Sequence, residues 1–97
     1  MMRPEAKTQD TNLPEVTLYT TPFCGYCAMA KRLLKKKGVP FTDIGVMGKP
    51  KLRRRMEALS GGYTVPQIFI DDTPIGGCDE LAALERAGKL DSMLGLS

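Results

Sequence analysis

Long apolar runs are missing from this sequence. No stretch approaches the ~20 consecutive apolar residues that a membrane-spanning helix needs, and the first residues lack the apolar centre of a secretory signal. We therefore expect a soluble protein of the cytoplasm with no membrane partner. Hydrophobic residues make up 42% of the chain and charged residues 26%, which is typical of a globular domain and not of a disordered chain.

Histidine is absent, and cysteine occurs only at Cys24, Cys27 and Cys78. A closed zinc site needs four Cys or His ligands, so this chain has too few residues of the required kind. An odd number of cysteines, two of them in a Cys-x-x-Cys, also fits a disulfide framework poorly. The count favours a working pair of thiols in a reducing compartment.

Aromatic residues are scarce, at 6% of the chain, and no recognised nucleic-acid motif is present. The net charge is nevertheless +3, and the basic residues form two clusters, Lys31, Arg32, Lys35, Lys36 and Lys37 in one and Lys49, Lys51, Arg53, Arg54 and Arg55 in the other. Both clusters fall on stretches with helical spacing, where charge runs are usually solvated faces. We expect no nucleic-acid partner, and a basic surface that attracts small anionic substrates.

The length of 97 residues allows one domain with one modest core. The first residues show no periodicity, which predicts a flexible leader over residues 1–13 and a single domain over residues 14–97. Strands are predicted at residues 15–20, 39–46, 66–70 and 73–75, where β-branched and apolar runs are bounded by turn residues. Helices are predicted at residues 28–37, 49–59 and 80–87, followed by a turn or short helix at residues 90–96.

The apolar residues of the first two predicted helices recur at helical spacing and form one face of each, Met29, Ala30, Leu33 and Leu34 in the first and Leu52, Met56 and Leu59 in the second. Asp79 is the predicted N-cap of the third helix. The order β-α-β-α-β-β-α predicts an α/β fold, a four-stranded mixed sheet flanked by helices. Its first two strands would be parallel and its last two a hairpin, as in a thioredoxin-like domain.

Cys24 and Cys27 fall where the first strand gives way to the first helix. A thiol attacks a disulfide only as thiolate, so a redox site must lower the pKa of one cysteine from its usual ~8.5. If Cys24 caps the helix, its sulfur faces unpaired backbone N–H groups and the positive end of the helix dipole, which favour the anion. Cys27 lies one turn on and can close a disulfide with it. Cys24 is the predicted nucleophile and Cys27 the predicted resolving cysteine.

Three other interpretations of this pair stay open on the residues alone. The pair could be half of a zinc site, a static structural disulfide, or two inert buried side chains. The missing ligands count against zinc, and the inferred compartment counts against a static disulfide. Thr21, Pro22 and Gly25 at a helix entry are unusual neighbours for a core side chain.

Three motifs together resemble the glutaredoxin family, in its dithiol class with a Cys-x-Tyr-Cys site. They are Thr-Pro-Phe-Cys-Gly-Tyr-Cys at 21–27, Thr-Val-Pro-Gln-Ile-Phe-Ile at 64–70 and Ile-Gly-Gly-Cys-Asp-Glu-Leu at 75–81. A lone Cys-x-x-Cys is a weak signal, whereas three motifs in this order and spacing are specific. The resemblance implies an enzyme that uses glutathione as co-substrate to reduce glutathionylated or disulfide-containing proteins.

The resemblance also implies a glutathione site made of Tyr26, Arg53, Thr64, Val65, Pro66, Gly77, Cys78 and Asp79. Pro66 matches a cis-proline that presents the backbone of Val65 to the cysteinyl part of glutathione. Residues 77–79 would hold its γ-glutamyl end, with backbone N–H groups for the carboxylate and Asp79 for the amino group.

Several of these assignments have a structural alternative or a narrower role. Arg53 would face the glycyl carboxylate, and Tyr26 would flank the tripeptide. Pro66 could simply open a strand, and Asp79 could serve only as a helix cap. Cys78 is interpreted as a residue of the groove and not as a redox partner.

Two positions depart from the family pattern. Thr21 stands where many relatives have lysine, so the pKa of Cys24 should depend more on the helix terminus. Gly25 stands where proline is frequent. In this family a small residue there is associated with a [2Fe–2S] cluster held between two monomers by one cysteine of each, here Cys24, and two glutathiones. The alternative to a monomeric enzyme is thus a cluster-bridged dimer that senses or transfers clusters.

Overall fold

The computed structural model describes residues 13–96, so the predicted leader lies almost entirely outside the described residues. The elements follow the predicted order, and the predicted turn or short helix at the end of the domain is a short helix. They are β1 (Val16–Thr20), α1 (Gly25–Lys36), β2 (Thr42–Gly45), α2 (Pro50–Ser60), β3 (Gln67–Ile70), β4 (Thr73–Gly76), α3 (Cys78–Arg86) and α4 (Leu90–Met93).

The four strands form one mixed sheet in the order β2-β1-β3-β4. β1 runs parallel to β2, with Leu18 opposite Asp43, and antiparallel to β3, with Leu18 opposite Ile68. β3 and β4 form the predicted hairpin. The central strands β1 and β3 are almost wholly buried, because their apolar residues alternate between two covered faces. The predicted α/β, thioredoxin-like sheet is confirmed.

The helices cover both faces of this sheet. Leu18 and Ile68 belong to a cluster that also contains the apolar residues of α1, α3 and α4. Their neighbours in the strands, Tyr19 and Phe69, point the other way and pack with Met56 of α2. The Tyr19 and Phe69 rings meet edge to face, with centroids 5.6 Å apart. The sheet therefore holds the N-terminus of α1 and the N-terminus of α3 at one end of the molecule.

An ion-pair cluster joins α1, α3 and α4, the helices that cover the same face of the sheet. The Nζ atom of Lys37, at the C-cap of α1, lies 2.9 Å from Glu85 Oε1 of α3 and 2.6 Å from Asp91 Oδ1 of α4. The two carboxylates raise the pKa of this lysine, so it stays charged. No helix among residues 13–96 has the length and apolar character to cross a bilayer.

Several local predictions were wrong. α1 begins at Gly25 instead of residue 28, and α3 begins at Cys78 with Gly77 as its N-cap, so Asp79 is not the cap. Asp79 lies instead in the first turn, where its charge suits the helix dipole. Met29 and Leu59, predicted on apolar faces, are 51% and 49% exposed. Only the helix residues that face the sheet are buried in the core, and they form a narrower stripe than the apolar residues in the sequence.

Candidate active site

The loop after β1 sets Cys24 at the start of α1. Phe23 has φ of +63°, a left-handed conformation that non-glycine residues seldom adopt, and its side chain is fully exposed. Cys24 then returns to an extended backbone and serves as the N-cap of α1. Its Sγ atom accepts a hydrogen bond from the backbone N–H of Cys27 at 3.3 Å. The capping position predicted for Cys24 is therefore present.

The surroundings of Cys24 favour its thiolate. Partial burial on its own would raise the pKa of this thiol, but hydrogen bonds from the side chain and backbone of Cys27 act in the opposite direction. The backbone N–H of Tyr26 and the positive charge of Lys31 lower it further. The net result is a pKa below the usual value for cysteine. Of the two thiols of the pair, Cys24 is therefore the one that more readily forms the attacking thiolate.

Cys27 has the opposite character. Its side chain is 1% exposed, and burial, the hydrogen bond to Cys24 and the Cys24 charge together raise the pKa of Cys27 to about 11. The backbone of Thr21 and the charge of Lys31 reduce that rise only in part. Cys27 thus stays protonated until Cys24 has reacted. Both thiols are free, and this asymmetry is the one that a nucleophile and a resolving cysteine require.

Lys31 is a contributor that the sequence analysis missed. It lies on α1, one turn beyond Cys27, and its Nζ atom is 2.8 Å from Asp43 Oδ2 of β2. The other oxygen of Asp43 accepts a hydrogen bond from the hydroxyl of Thr20, the last residue of β1. Burial opposes ionisation of Asp43, but Lys31 and Thr20 keep its pKa below the usual value. The ion pair with Asp43 holds the charge of Lys31 close to the two thiols. This chain has Thr21 at the position where the resemblance implied lysine in many relatives.

The loop before β3 faces Cys24 from the opposite side. The Val65–Pro66 peptide bond is cis, as the resemblance implied. The Cys24 Sγ atom lies 3.9 Å from the carbonyl oxygen of Val65. The buried amide of Gln67 donates a hydrogen bond to the carbonyl oxygen of Thr64 at 2.9 Å, which fixes the turn of this loop. Gln67 belongs to the predicted 64–70 motif, but its part in holding the loop was not foreseen.

The N-terminus of α3 approaches the same loop. A Cβ atom on Gly77 would lie 3.2 Å from the carbonyl oxygen of Pro66, so glycine permits this close approach. The backbone N–H of Gly77 donates to Glu80 Oε1 at 2.8 Å. Glu80 therefore satisfies the N–H of the N-cap residue, Gly77, and the Asp79 side chain is exposed to solvent.

These segments enclose a groove of about 670 Å³. Seven of the eight residues predicted to bind glutathione line it, namely Tyr26, Thr64, Val65, Pro66, Gly77, Cys78 and Asp79. Ser60, Gly62 and Glu80 line it as well and were not predicted to do so. Ser60 and Gly62 lie outside the three motifs, whereas Glu80 belongs to the motif at 75–81 but was given no role. The groove places backbone donors, an acidic side chain and an aromatic ring beside Cys24.

Arg53 is the predicted residue that lies outside this groove. It lines a neighbouring depression with Thr21 and Lys49, and its Nη2 atom donates to the carbonyl oxygen of Tyr63 at 3.0 Å. Tyr63 directly precedes the loop that carries Thr64. Arg53 thus borders the site from the side of α2, and its predicted contact with glutathione stays a prediction.

Cys78 is half-buried at the first position of α3. Burial raises the pKa of this thiol, and the charges of Asp79, Cys24 and Glu80 raise it further. A thiol with a raised pKa is a poor nucleophile at neutral pH. This agrees with its interpretation as a groove residue.

A thioredoxin-like sheet that carries a low-pKa thiol at a helix N-terminus, and a buried thiol one turn on, defines a thiol–disulfide oxidoreductase. Comparison with known proteins makes the assignment narrower. Residues 16–75 match the family model for glutaredoxin. The chain belongs to the glutaredoxin family.

The relatives cover nearly the whole domain. A glutaredoxin of Pseudomonas aeruginosa is 55% identical over 82 residues, which are 84% of this chain and 98% of that protein. The solution structure of a glutaredoxin from Brucella melitensis is 49% identical with a TM-score of 0.77, covering 88% of this chain and 92% of the other. The crystal structure of a buckwheat glutaredoxin–glutathione complex is 29% identical with a TM-score of 0.78, covering 91% and 84%. The enzyme is accordingly a glutaredoxin-type thiol–disulfide oxidoreductase.

Proposed function

We propose that this enzyme depends on glutathione and reduces protein–glutathione mixed disulfides and protein disulfides. The observation that carries the proposal is the groove beside Cys24, which three separate segments of the chain line. The buckwheat glutaredoxin of the same fold was solved with glutathione bound.

Each part of the groove suits one part of the tripeptide. The N-terminus of α3 offers backbone N–H groups to the γ-glutamyl carboxylate, and Asp79 is free to pair with the adjacent amino group, since it is not engaged as a cap. The backbone of Val65 would bind the cysteinyl unit, beside Cys24 Sγ. Arg53 lies outside the groove, in the neighbouring depression, and we propose that it reaches the glycyl carboxylate from there.

The chemistry of the mixed-disulfide reaction follows from the lowered pKa of Cys24. The Cys24 thiolate attacks the glutathione sulfur, the disulfide breaks, and the protein leaves as a thiolate that takes up a proton. A second glutathione, as thiolate, attacks the sulfur of the first. This step releases glutathione disulfide and restores the Cys24 thiolate, so glutathione supplies both electrons.

Protein disulfides require Cys27. After Cys24 attacks, Cys27 loses its proton and attacks the Cys24 sulfur, which frees the second protein thiol and leaves a Cys24–Cys27 disulfide. Two glutathiones then reduce that bond. We also propose that the protein works in the cytoplasm, where the glutathione pool is reducing, and that it acts as a monomer.

The test compares three mixed disulfides of the same protein thiol, made with glutathione, with cysteine and with 2-mercaptoethanol. The glutathione form should be reduced fastest, by about tenfold or more in kcat/KM, because only it fills the groove. Equal rates for all three would show that the enzyme recognises no tripeptide, and would overturn the glutathione site while leaving the thiol chemistry intact.

A [2Fe–2S] cluster shared by two chains is the second candidate. The observation that favours it is the open surface at Gly25, where an added Cβ would meet no atom within 4 Å, next to the half-buried Cys24. Within residues 13–96 no group of three or more His, Cys, Asp or Glu could hold a metal ion. One chain would therefore supply only Cys24, and the other ligands would come from a second chain and from glutathione. Such a cluster would carry one electron or serve as cargo.

Anaerobic purification with glutathione, followed by a visible spectrum and size-exclusion chromatography, tests this candidate. A brown dimer would support cluster binding, with a Gly25→Pro variant expected to lose the colour while keeping its fold. A colourless monomer would remove it.

A further inference from the structure

The second basic cluster of the sequence lies on α2, and the redox chemistry does not use most of it. Lys51, Arg54 and Arg55 are exposed. They are spaced at i, i+3 and i+4, so they share the outer side of the helix, while Met56 points into the core. We call these three residues the basic face of α2.

The stability of α2 does not explain this face. Lys51 lies in the first turn of α2, where a cation is unfavourable because the N-terminal end of the dipole is positive, and the like charges of Lys51 with Arg54 and Arg55 repel at i, i+3 and i+4. The first turn of α2 contains no acidic residue that would offset them. The salt bridges found among residues 13–96 involve Lys31 and Lys37, and none involves the basic face. A feature that costs local stability points to a function.

The helix that carries the basic face borders the active site. On the same helix, Arg53 donates to the carbonyl oxygen of Tyr63, and the chain from Tyr63 reaches Val65, whose carbonyl oxygen is 3.9 Å from Cys24 Sγ. Lys49 and Arg53 also line the depression beside Thr21. A polypeptide whose sulfur reaches Cys24 would therefore pass close to α2.

The other flank of Cys24 has the opposite charge. Asp79 and Glu80 occupy the first turn of α3, and both are exposed. The field across the active site thus runs from positive at α2 to negative at α3. Such a field orients a partner as well as attracting it.

We propose that α2 selects protein substrates in which the cysteine to be reduced has acidic residues on one side, and that these residues dock on Lys51, Arg54 and Arg55. The proposal rests on the proposed function, since it names the substrate class of that reaction. An acidic segment lying over α2 leaves the groove on the α3 side free for glutathione. Because the charges are exposed, the attraction acts mainly on association and weakens as salt is added.

The test uses two glutathionylated peptides with one cysteine each, identical except that a run of glutamates on one side is replaced by glutamines. Deglutathionylation is measured for wild-type protein, for Arg54→Gln/Arg55→Gln, and for the control Lys35→Gln/Lys36→Gln, which removes the same charge from the last turn of α1. A small glutathione mixed disulfide serves as reference substrate for all three proteins.

Wild-type protein and the control should prefer the glutamate peptide by about fivefold in kcat/KM at ~0.02 M NaCl, and the preference should nearly vanish at ~0.2 M. Arg54→Gln/Arg55→Gln should lose the preference and keep its rate on the small reference substrate. Loss of the reference activity in wild-type protein would instead count against the proposed function.

Three results would overturn the docking proposal. They are equal rates on the two peptides for wild-type protein, a preference that survives in Arg54→Gln/Arg55→Gln, or an equal loss in the α1 control, which would reflect net charge alone. Binding of a single-stranded oligonucleotide without any peptide preference would assign the basic face to nucleic acid and would likewise overturn it.

Discussion

The backbone N–H of Cys27 donates a hydrogen bond to the Sγ atom of Cys24 at 3.3 Å. This one contact joins the two thiols into a functional pair, because the residue that later resolves the disulfide first stabilises the attacking thiolate. Burial raises the pKa of Cys27, and its closeness to Cys24 raises it further. The order of the two steps is therefore built into the first turn of α1.

Lys31 should contribute measurably to the reactivity of Cys24. The Cys24 pKa is lowered, so the thiolate persists below the pH at which ordinary thiols protonate and is lost as the pH falls through that lowered pKa. Lys31→Met removes a stabilising charge, so alkylation of Cys24 near neutral pH should slow by about twofold to fivefold and its pH midpoint should rise. The measurement is the iodoacetamide rate against pH, in which Cys27, with a pKa of about 11, stays silent.

Lys36→Met is the matched control for this experiment, since Lys36 is exposed in the last turn of the same helix. Its pH midpoint should equal that of wild-type protein. An unchanged midpoint in Lys31→Met would mean that the helix terminus stabilises the thiolate without help from Lys31.

Asp79 should act on binding of the glutathionylated substrate. Asp79→Asn keeps the shape and removes the charge that would pair with the γ-glutamyl amino group, so KM should rise by about fivefold to tenfold with little change in kcat. Helix content should stay constant, because Gly77 and Glu80 form the cap. The control is Asp72→Asn, on the exposed turn between β3 and β4, which should leave KM unchanged. If KM were also unchanged in Asp79→Asn, Asp79 would have no role in binding the substrate.

Two apolar side chains of α1, Leu34 and Met29, should contribute very differently to the free energy of unfolding. Leu34 is 0% exposed, so Leu34→Ala should lower the free energy of unfolding by about 2–4 kcal/mol. Met29 is exposed on the same helix, and Met29→Ala should change it by less than about 0.5 kcal/mol. Urea denaturation of both variants tests this assignment. A similar loss at both positions would restore the wider apolar face that the sequence predicted.

The sheet could be predicted because its signals are local. The alternation of Val16, Leu18, Ile68 and Ile70 with residues for the opposite face, and turn residues between the strands, are both visible in sequence. The capping position of Cys24 was predictable for the same reason, whereas the clustering of the three motifs followed only from the resemblance to a known family.

Other features depend on tertiary packing and could not be predicted. Asp43 is twelve residues from Lys31 and lies on another element, so no spacing rule connects them. The exposure of Met29 and Leu59 depends on how wide a stripe of each helix the sheet covers. Gly77 is the cap instead of Asp79 because α3 begins at Cys78, two residues before the predicted start, and the Glu80 side chain then reaches back to the N–H of Gly77.

The central claim is that Cys24 attacks and Cys27 only resolves, and the most direct test compares Cys24→Ser with Cys27→Ser on one glutathionylated protein in the presence of glutathione. Cys24→Ser should lose turnover by on the order of a hundredfold or more, whereas Cys27→Ser should keep a rate within about threefold of wild type. A Cys24→Ser variant that remains active, or an equal loss in both variants, would contradict the claim.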